Sequence, residues 1–297
     1  MKSVLVTGAG NGIGRAASLR LARFGHEVFA AVGTPEEAAR LTAEAAADGA
    51  PRLRAFPLDV TDAGACAAAV TEIGERTGGG PWGLVNAAAA VAARAVEETD
   101  EAEIRRLLEV NCLAAGRLAR LVLPAMRRRG DGRIVMVSSV SGRAVLPWLG
   151  WYGASRAAAT AMTHALRMET AGTGVRVVLL EHGVHLTGLL TEAAESLERP
   201  STVSPGFTRS YRATAAALRD RARYTGAELP AAAVHRALTA PRPAARYVVG
   251  RDARVGAVLD TCLPYRWGDP VKRALLGLTA PHPATRALAR AFRLPRL

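Results

Sequence analysis

Residues 2–7 form a short apolar run that stops at Thr7-Gly8-Ala9-Gly10-Asn11-Gly12-Ile13-Gly14 and gives way to an amphipathic stretch from Arg15 to Phe24. That change of pattern predicts a strand, a tight turn and a helix. The same rhythm repeats. His26 to Val32 read as a second strand, and Thr34-Pro35-Glu36-Glu37 starts a helix with proline in its first turn and acids near its positive end. Leu53 to Leu58 form a third strand ending at Asp59-Val60, before a helix capped by Thr61 or Asp62. Trp82 to Val85 form a fourth, ending in Asn86-Ala87-Ala88-Ala89. Strands alternating with helices in this way predict a three-layer α/β fold around a doubly wound parallel sheet. Its binding crevice is expected at the carboxyl ends of the strands.

Further on, Asp100 to Arg129 read as mainly helical, with Asn111 in the interior, where asparagine competes for backbone groups. Arg133 to Val137 are a strand that delivers Ser138-Ser139 to the crevice edge, and the following loop holds Leu146, Pro147, Trp148, Leu149 and Trp151. Those side chains either cover the core or wall an apolar pocket. Trp151-Tyr152-Gly153-Ala154-Ser155-Arg156 then sets a phenol and a guanidinium on one face of a helix start. A phenol beside a fixed cation gives up its proton more readily. After a strand at Val175 to Leu180 comes Glu181-His182-Gly183-Val184-His185-Leu186-Thr187, which brings two imidazoles and a carboxylate to the same region. His182 and His185 lack a clear third ligand, so no metal is expected.

At 297 residues and 49% hydrophobic content, the chain is long enough for one large domain, placed at 1–250, with a basic extension over 251–297 expected to be helical and packed on it. Cys66, Cys112 and Cys262 are too scattered for a disulfide framework. No apolar run reaches the ~20 residues of a membrane span, which argues for a soluble cytoplasmic protein. Of the net charge of +13, most sits after residue 190, where 18 Lys or Arg face 8 Asp or Glu. These arginines are dispersed and accompany no nucleic-acid-binding pattern, so a solvated basic surface is expected and no nucleic-acid partner.

Thr7-Gly8-x-x-x-Gly12-x-Gly14, Asp59, Asn86-Ala87-Ala88-Ala89, Asn111, Ser139 and, 13 residues later, Tyr152-x-x-x-Arg156 together resemble the short-chain dehydrogenase/reductase family over roughly residues 2 to 250. The resemblance implies a Rossmann fold, a nicotinamide cofactor and a small, apolar substrate of the polycyclic or secondary-metabolite kind, in a homodimer or homotetramer. It implies that Tyr152 exchanges a proton with the substrate oxygen, that Ser139 orients it, that Arg156 stands in the place of the family's lysine, and that Asn111 anchors a relay water. It further implies that Gly8, Asn11, Gly12, Ile13 and Gly14 line the phosphates, Gly33, Asp59 and Val60 the adenosine end, and Asn86, Ala87 and Ala88 its ribose side. Tyr152, Arg156, Gly183, His185 and Thr187 would serve the nicotinamide end. Residues 188–227 match the family's variable substrate-binding insertion, with Phe207, Tyr211 and Tyr224 joining Trp148, Trp151 and His182 as pocket linings. Ala31-Val32-Gly33-Thr34 hold neither the acid that binds a ribose 2′-hydroxyl nor an arginine for a 2′-phosphate, which tips the expectation to NADP over NAD. A softer likeness of Ala237 to Gly250 is to members acting on steroid-like or retinoid-like substrates.

Three departures qualify that picture. Arg156 keeps the lysine's charge but cannot release a proton. Ala87 and Ala89 replace an asparagine and a glycine, and His182 replaces a proline. The expected function is therefore ketone/alcohol interconversion by an NAD(P)(H)-dependent oxidoreductase. The alternative is a related non-redox cyclase, dehydratase or isomerase, or a cofactor-sensing protein.

Overall fold

The first apolar run becomes β1 (Ser3–Val6), the amphipathic stretch α1 (Gly12–Arg23), and the next pairs β2 (Glu27–Val32) with α2 (Pro35–Ala47) and β3 (Leu53–Pro57) with α3 (Ala63–Thr77). This is a computed structural model, and it describes residues 2–220, 224–262, 264–276 and 278. β4 (Gly83–Asn86), β5 (Gly132–Ser139), β6 (Val175–His182) and β7 (Arg246–Val249) complete a 7-stranded sheet in the order β3-β2-β1-β4-β5-β6-β7. Every neighbouring pair is parallel. Strand order reverses between β1 and β4, so the loops after these strands part and leave the crevice of a doubly wound fold.

Parallel strands need apolar side chains on both faces. One face packs α1, α2 and α9 (Glu228–Thr239) through residues such as Ala17, Leu41 and Val234. The other packs α3 and α5 (Ala114–Arg129) through Ile73, Leu118 and Met126, with Met162 and Leu166 of α6 (Gly150–Glu169) against them. Local chemistry marks the element ends: Asp62, rather than Thr61, caps α3 by accepting from Ala65 N at 2.9 Å, and Gly130 ends α5 at φ +66°.

The helical stretch expected from Asp100 to Arg129 is interrupted. α4 (Glu101–Leu108) passes through one π turn, Glu109–Leu113, before α5 resumes. Such a bulge widens the helix by one residue and turns a side chain inward; here that side chain is Asn111, which is buried.

α7 (Gly188–Glu198) and α8 (Pro205–Arg219) form the insertion and pack a separate apolar cluster, with Ala194, Leu197, Tyr211 and Ala215, against Trp148 and Tyr152. α10 (Arg251–Cys262) follows β7, and α11 (Tyr265–Leu275) ends beside Leu276, which joins that same cluster. Residues 279–297 of the basic extension lie outside the described residues.

One buried carboxylate ties the insertion to the body. Glu98 accepts from Ser201 Oγ at 2.8 Å, from Thr202 N at 2.5 Å and from the Tyr211 hydroxyl, while Arg94 pairs with it at 3.3 Å. Tyr211, expected as a pocket lining, is fully buried and its hydroxyl also accepts from Ala95 N at 2.8 Å. Tyr211 is thus a structural anchor. Burial pushes the Glu98 carboxyl up, but the bonds from Tyr211, Ser201 and Thr202 outweigh it and hold the group at about 2. Because the folded value lies below the ordinary 4.5, this stabilisation is present above pH 4.5 and is lost as pH falls toward 2. Urea unfolding of wild type and Glu98→Gln should show a gap in stability at pH 6 that narrows steadily below pH 4.5.

Candidate functional site

The carboxyl ends of β5 and β6 carry the chemistry. Ser139 is the last residue of β5, so the strand itself presents it, two residues beyond the expected strand end. Its Oγ accepts from Ser141 N at 3.2 Å, and Ser138 turns to the opposite face beside Thr160. Tyr152 enters from the first turn of α6, is 7% exposed, and its hydroxyl bonds no described residue. One turn on, Arg156 is 2% exposed, and its Cζ lies 5.2 Å from the Tyr152 ring centre. Nε of this guanidinium is buried without a partner, and no carboxylate among the described residues pairs with it. A buried, unpaired cation calls for a ligand.

Asn111 holds this helix start in place rather than standing free. Its Nδ2 donates to Ala90 O and to Ser155 Oγ, both at 2.9 Å, and its Oδ1 accepts from Ala90 N at 2.9 Å. Ser155 in turn donates to Tyr152 O at 2.7 Å. Both amide hydrogens are spent on these bonds, which places the side chain between the loop after β4 and the turn that carries Tyr152.

His182 pairs in register with Ser139 across β5 and β6, which puts both side chains on one face of the sheet edge. Its Nδ1 lies 2.6 Å from Gly183 O. A carbonyl only accepts, so Nδ1 carries the hydrogen and Nε2 keeps a lone pair. Burial lowers the imidazole to about 4, against the bond to Gly183, and the charges of Arg156 and His185 lower it further. The ring is therefore neutral at ordinary pH. His185, its ring centre 5.7 Å away, is buried with Nδ1 on Thr225 Oγ1 at 3.0 Å and Nε2 unpartnered.

Glu181 does not join them. Alternation along β6 sends it to the other face, fully buried, where Arg246 grips it at 2.7 and 2.6 Å and Arg143 adds 3.2 Å. The carboxylate expected beside the two imidazoles is consumed by structure.

The glycine turn is shaped by contacts that leave no room for side chains. A Cβ on Gly14 would lie 2.2 Å from Gly8 O, and Gly8, at φ +65°, meets Ala88 Cα at 2.7 Å. Gly12, at φ +51°, faces the Thr187 methyl at 2.7 Å, so the turn and the start of α7 close on each other. Asn11 sits at the helix cap without bonding it, next to Gly188. Thr7 Oγ1 accepts from Ala87 N at 3.1 Å and Ala88 N at 3.2 Å, while Asn86 Nδ2 reaches Ala115 O at 3.0 Å. Asp59, held low first by the Thr61 hydroxyl and then its N–H, lies with Val60 at the end of β3.

The sequence reading missed Glu37. It stands on α2, yet its Oε2 accepts from Gly33 N at 2.8 Å and its carboxylate fills the space over Gly10. Arg40 Nη2 lies beside it, 3.3 Å from Gly10 O. Thr34-x-x-Glu37 has the spacing of a capping box, and Thr34 Oγ1 does accept from Glu37 N at 3.2 Å. That pattern was the signal that an acid folds back onto the end of β2.

Among the proposed pocket residues, Trp148 and Phe207 meet edge to face at 4.8 Å in the cluster that holds Tyr152. Trp148, the one described non-glycine residue at positive φ (71°), keeps a buried, unpartnered indole N–H. Trp151 belongs elsewhere, packing near Leu107 and donating to Val96 O at 3.2 Å. Tyr224 donates to Ala217 O at 3.0 Å. No group of three or more His, Cys, Asp or Glu among the described residues is placed to share a metal ion.

A nicotinamide dinucleotide fits what is present. Its phosphates match a cradle without Cβ atoms at a helix N-terminus, and its ribose hydroxyls and carboxamide match the unpartnered nitrogens of Arg156 and His185.

Comparison with known proteins agrees. The sequence model of the short chain dehydrogenase family matches residues 2–198. The chain is 29% identical over 271 residues to the uncharacterized oxidoreductase YbbO of Escherichia coli K12, covering 91% of this chain and 93% of that one. It is 30% identical over 281 residues to human 17-beta-hydroxysteroid dehydrogenase type 6, covering 90% and 86%. A crystal structure of a short-chain dehydrogenase from Streptomyces avermitilis superposes with TM-score 0.73 at 29% identity, over 88% of this chain and 93% of that one.

The Glu181 pair supports the strand end that presents His182. Arg246→Ala strands a fully buried carboxylate on one remaining partner and should cost about 3 kcal/mol in urea unfolding, with Arg246→Lys recovering part of the loss.

Proposed function

The chain belongs to the short-chain dehydrogenase family and is an oxidoreductase of that type, and on that premise we propose that it interconverts a ketone and an alcohol on an apolar substrate. The observation that carries this reading is the buried, unpaired Arg156 beside the Tyr152 ring, 5.2 Å from its centre, on the helix that follows the strand ending in Ser139. The cluster of Trp148, Phe207 and Leu197 supports an apolar substrate wall. Relatives named for a hydroxysteroid and for retinol, the latter retinol dehydrogenase 7 of mouse at 31% identity, make a polycyclic or polyene substrate the first to try.

When bound, the nicotinamide supplies or takes up a hydride at the substrate carbon. The chain's own residues do the rest. Ser139 Oγ donates a hydrogen bond that fixes the reacting oxygen, and Tyr152 gives that oxygen its proton in reduction or removes it in oxidation. Arg156 sets a fixed charge beside the Tyr152 ring, 5.2 Å from its centre. Gly8, Gly12 and Gly14 hold the phosphates, and Thr187 closes over them. We assign the cofactor as NAD(H) rather than NADP(H): Glu37 sets a carboxylate at the end of β2, where a ribose 2′-hydroxyl would donate to it and a 2′-phosphate would be repelled.

No helix among the described residues is long and apolar enough to cross a membrane. We place the enzyme in the cytoplasm, as a homodimer or homotetramer acting on a small molecule. A second reading, a non-redox isomerase, dehydratase or cyclase, or a cofactor-sensing protein, is favoured by one observation: arginine cannot pass a proton onward as lysine can.

Tyr152→Phe should retain NADH binding, followed by fluorescence, and lose about 100-fold or more of ketone reduction. Turnover of a polyfunctional substrate with no change in nicotinamide absorbance would favour the second reading instead. Wild type should bind NADH at least about tenfold more tightly than NADPH, a like-charge gap of ~1.4 kcal/mol, and Glu37→Gln should narrow that ratio. Equal binding of both by the wild type would overturn the NAD(H) assignment.

A further inference from the structure

We infer that His182 Nε2 is a hydrogen-bond acceptor built into the substrate site, and that the substrate carries a hydroxyl one or two carbons from the reacting carbonyl. The inference deepens the ketone/alcohol reading and rests on it. Four observations carry it. His182 is the register partner of Ser139, so its side chain leaves the same face of the sheet edge about one strand spacing, ~4.8 Å, away. Its Nδ1–H is spent on Gly183 O at 2.6 Å, which leaves Nε2 only a lone pair. No described residue donates to that nitrogen, although Gly183, His185 and Arg156 all lie close by. The residue is half-buried rather than fully buried.

The direction of the bond follows from the tautomer. Ser139 and Tyr152 donate to the reacting oxygen, whereas His182 only accepts, so the two positions read opposite groups. A ketone oxygen fits the first and a hydroxyl hydrogen the second. An ether or a second ketone placed at His182 would set lone pair against lone pair. A site built to accept from a hydroxyl discriminates strongly against analogues without one, because its own acceptor is then left unpaired.

The test uses the wild-type protein saturated with NADH and two matched pairs of probes: 2- and 3-hydroxycyclohexanone, and their methyl ethers. Kd is measured by calorimetry and kcat/KM by NADH absorbance. Wild type should favour at least one hydroxy ketone over its ether by about tenfold in both readouts. His182→Phe should bring that ratio close to one, while His182→Gln, whose amide oxygen still accepts, should restore part of it. A second mark comes from nitrogen NMR of labelled histidine, where the Nε2 signal should move on adding the hydroxy ketone and not on adding the ether.

A wild-type ratio within about twofold of one overturns the inference, as does a ratio unchanged in His182→Phe. Binding of neither pair overturns it too. If the protein binds no nicotinamide cofactor and reduces no ketone, the underlying reading fails instead. Reduction of hydroxy ketone and ether at equal rates leaves that reading standing and removes only the role of His182.

Discussion

A guanidinium sealed from water with no anion beside it costs several kcal/mol, and much of the architecture around Arg156 is organised to keep it that way. The residue is 2% exposed in the helix that runs behind the catalytic edge. Gly142 packs so tightly on it that a Cβ there would lie 2.9 Å from the Arg156 carbonyl carbon. Glu181 could have neutralised such a charge, but strand alternation turns it to the far face, where Arg246 and Arg143 claim it. His182 stays beside it as a neutral imidazole. The cation is left to act on the Tyr152 ring and on whatever enters the crevice. Its unmet demand is what makes the crevice a binding site and not merely a gap.

The sheet meets a related problem at its switch point. Ala87 stands where the family has a second asparagine. Here the Thr7 hydroxyl oxygen receives the N–H groups of both Ala87 and Ala88 across β1 and β4. Asn86 adds a bond to Ala115 O in α5. These bonds hold the two loops where Gly8 and Ala88 approach closely, a Cβ on Gly8 meeting Ala88 Cα at 2.7 Å.

Most of the fold was legible because it depends on local patterns. Apolar runs, glycine stops and amphipathic helices alternate along the chain, and parallel pairing follows from them. The places of Ser139, Tyr152 and Arg156 at element ends were legible for a similar reason, since punctuation marks those ends. What escaped depends on geometry between elements. Glu181 and His182 are neighbours in sequence but opposite in direction, a consequence of strand period that reading them as one cluster overlooked. Tyr211 looked like a pocket aromatic and is an anchor, because its partner Glu98 lies 113 residues away. Asn111 faces inward only because a π turn rotates it, and no propensity announces that turn. Glu37 was within reach, but only to a reader who asked where the glutamate of a capping box points.

Arginine at position 156 also constrains where the proton of Tyr152 can come from. In a site with lysine, an ammonium can hand its proton to the phenolate and be recharged. A guanidinium cannot, and Asn111 has no donor left to hold a relay water by its side chain. His182 does not fill the gap, since its one hydrogen faces a carbonyl that cannot take it on. On the proposed mechanism, reprotonation of Tyr152 falls to water at the mouth of the crevice, after the substrate leaves or around its edge. The 7% exposure of Tyr152 and its unbonded hydroxyl leave that route open. The burial of Arg156 and the proposed proton route are then two sides of one arrangement: the cation stays fixed beside the phenol, and solvent, not the cation, would return the proton.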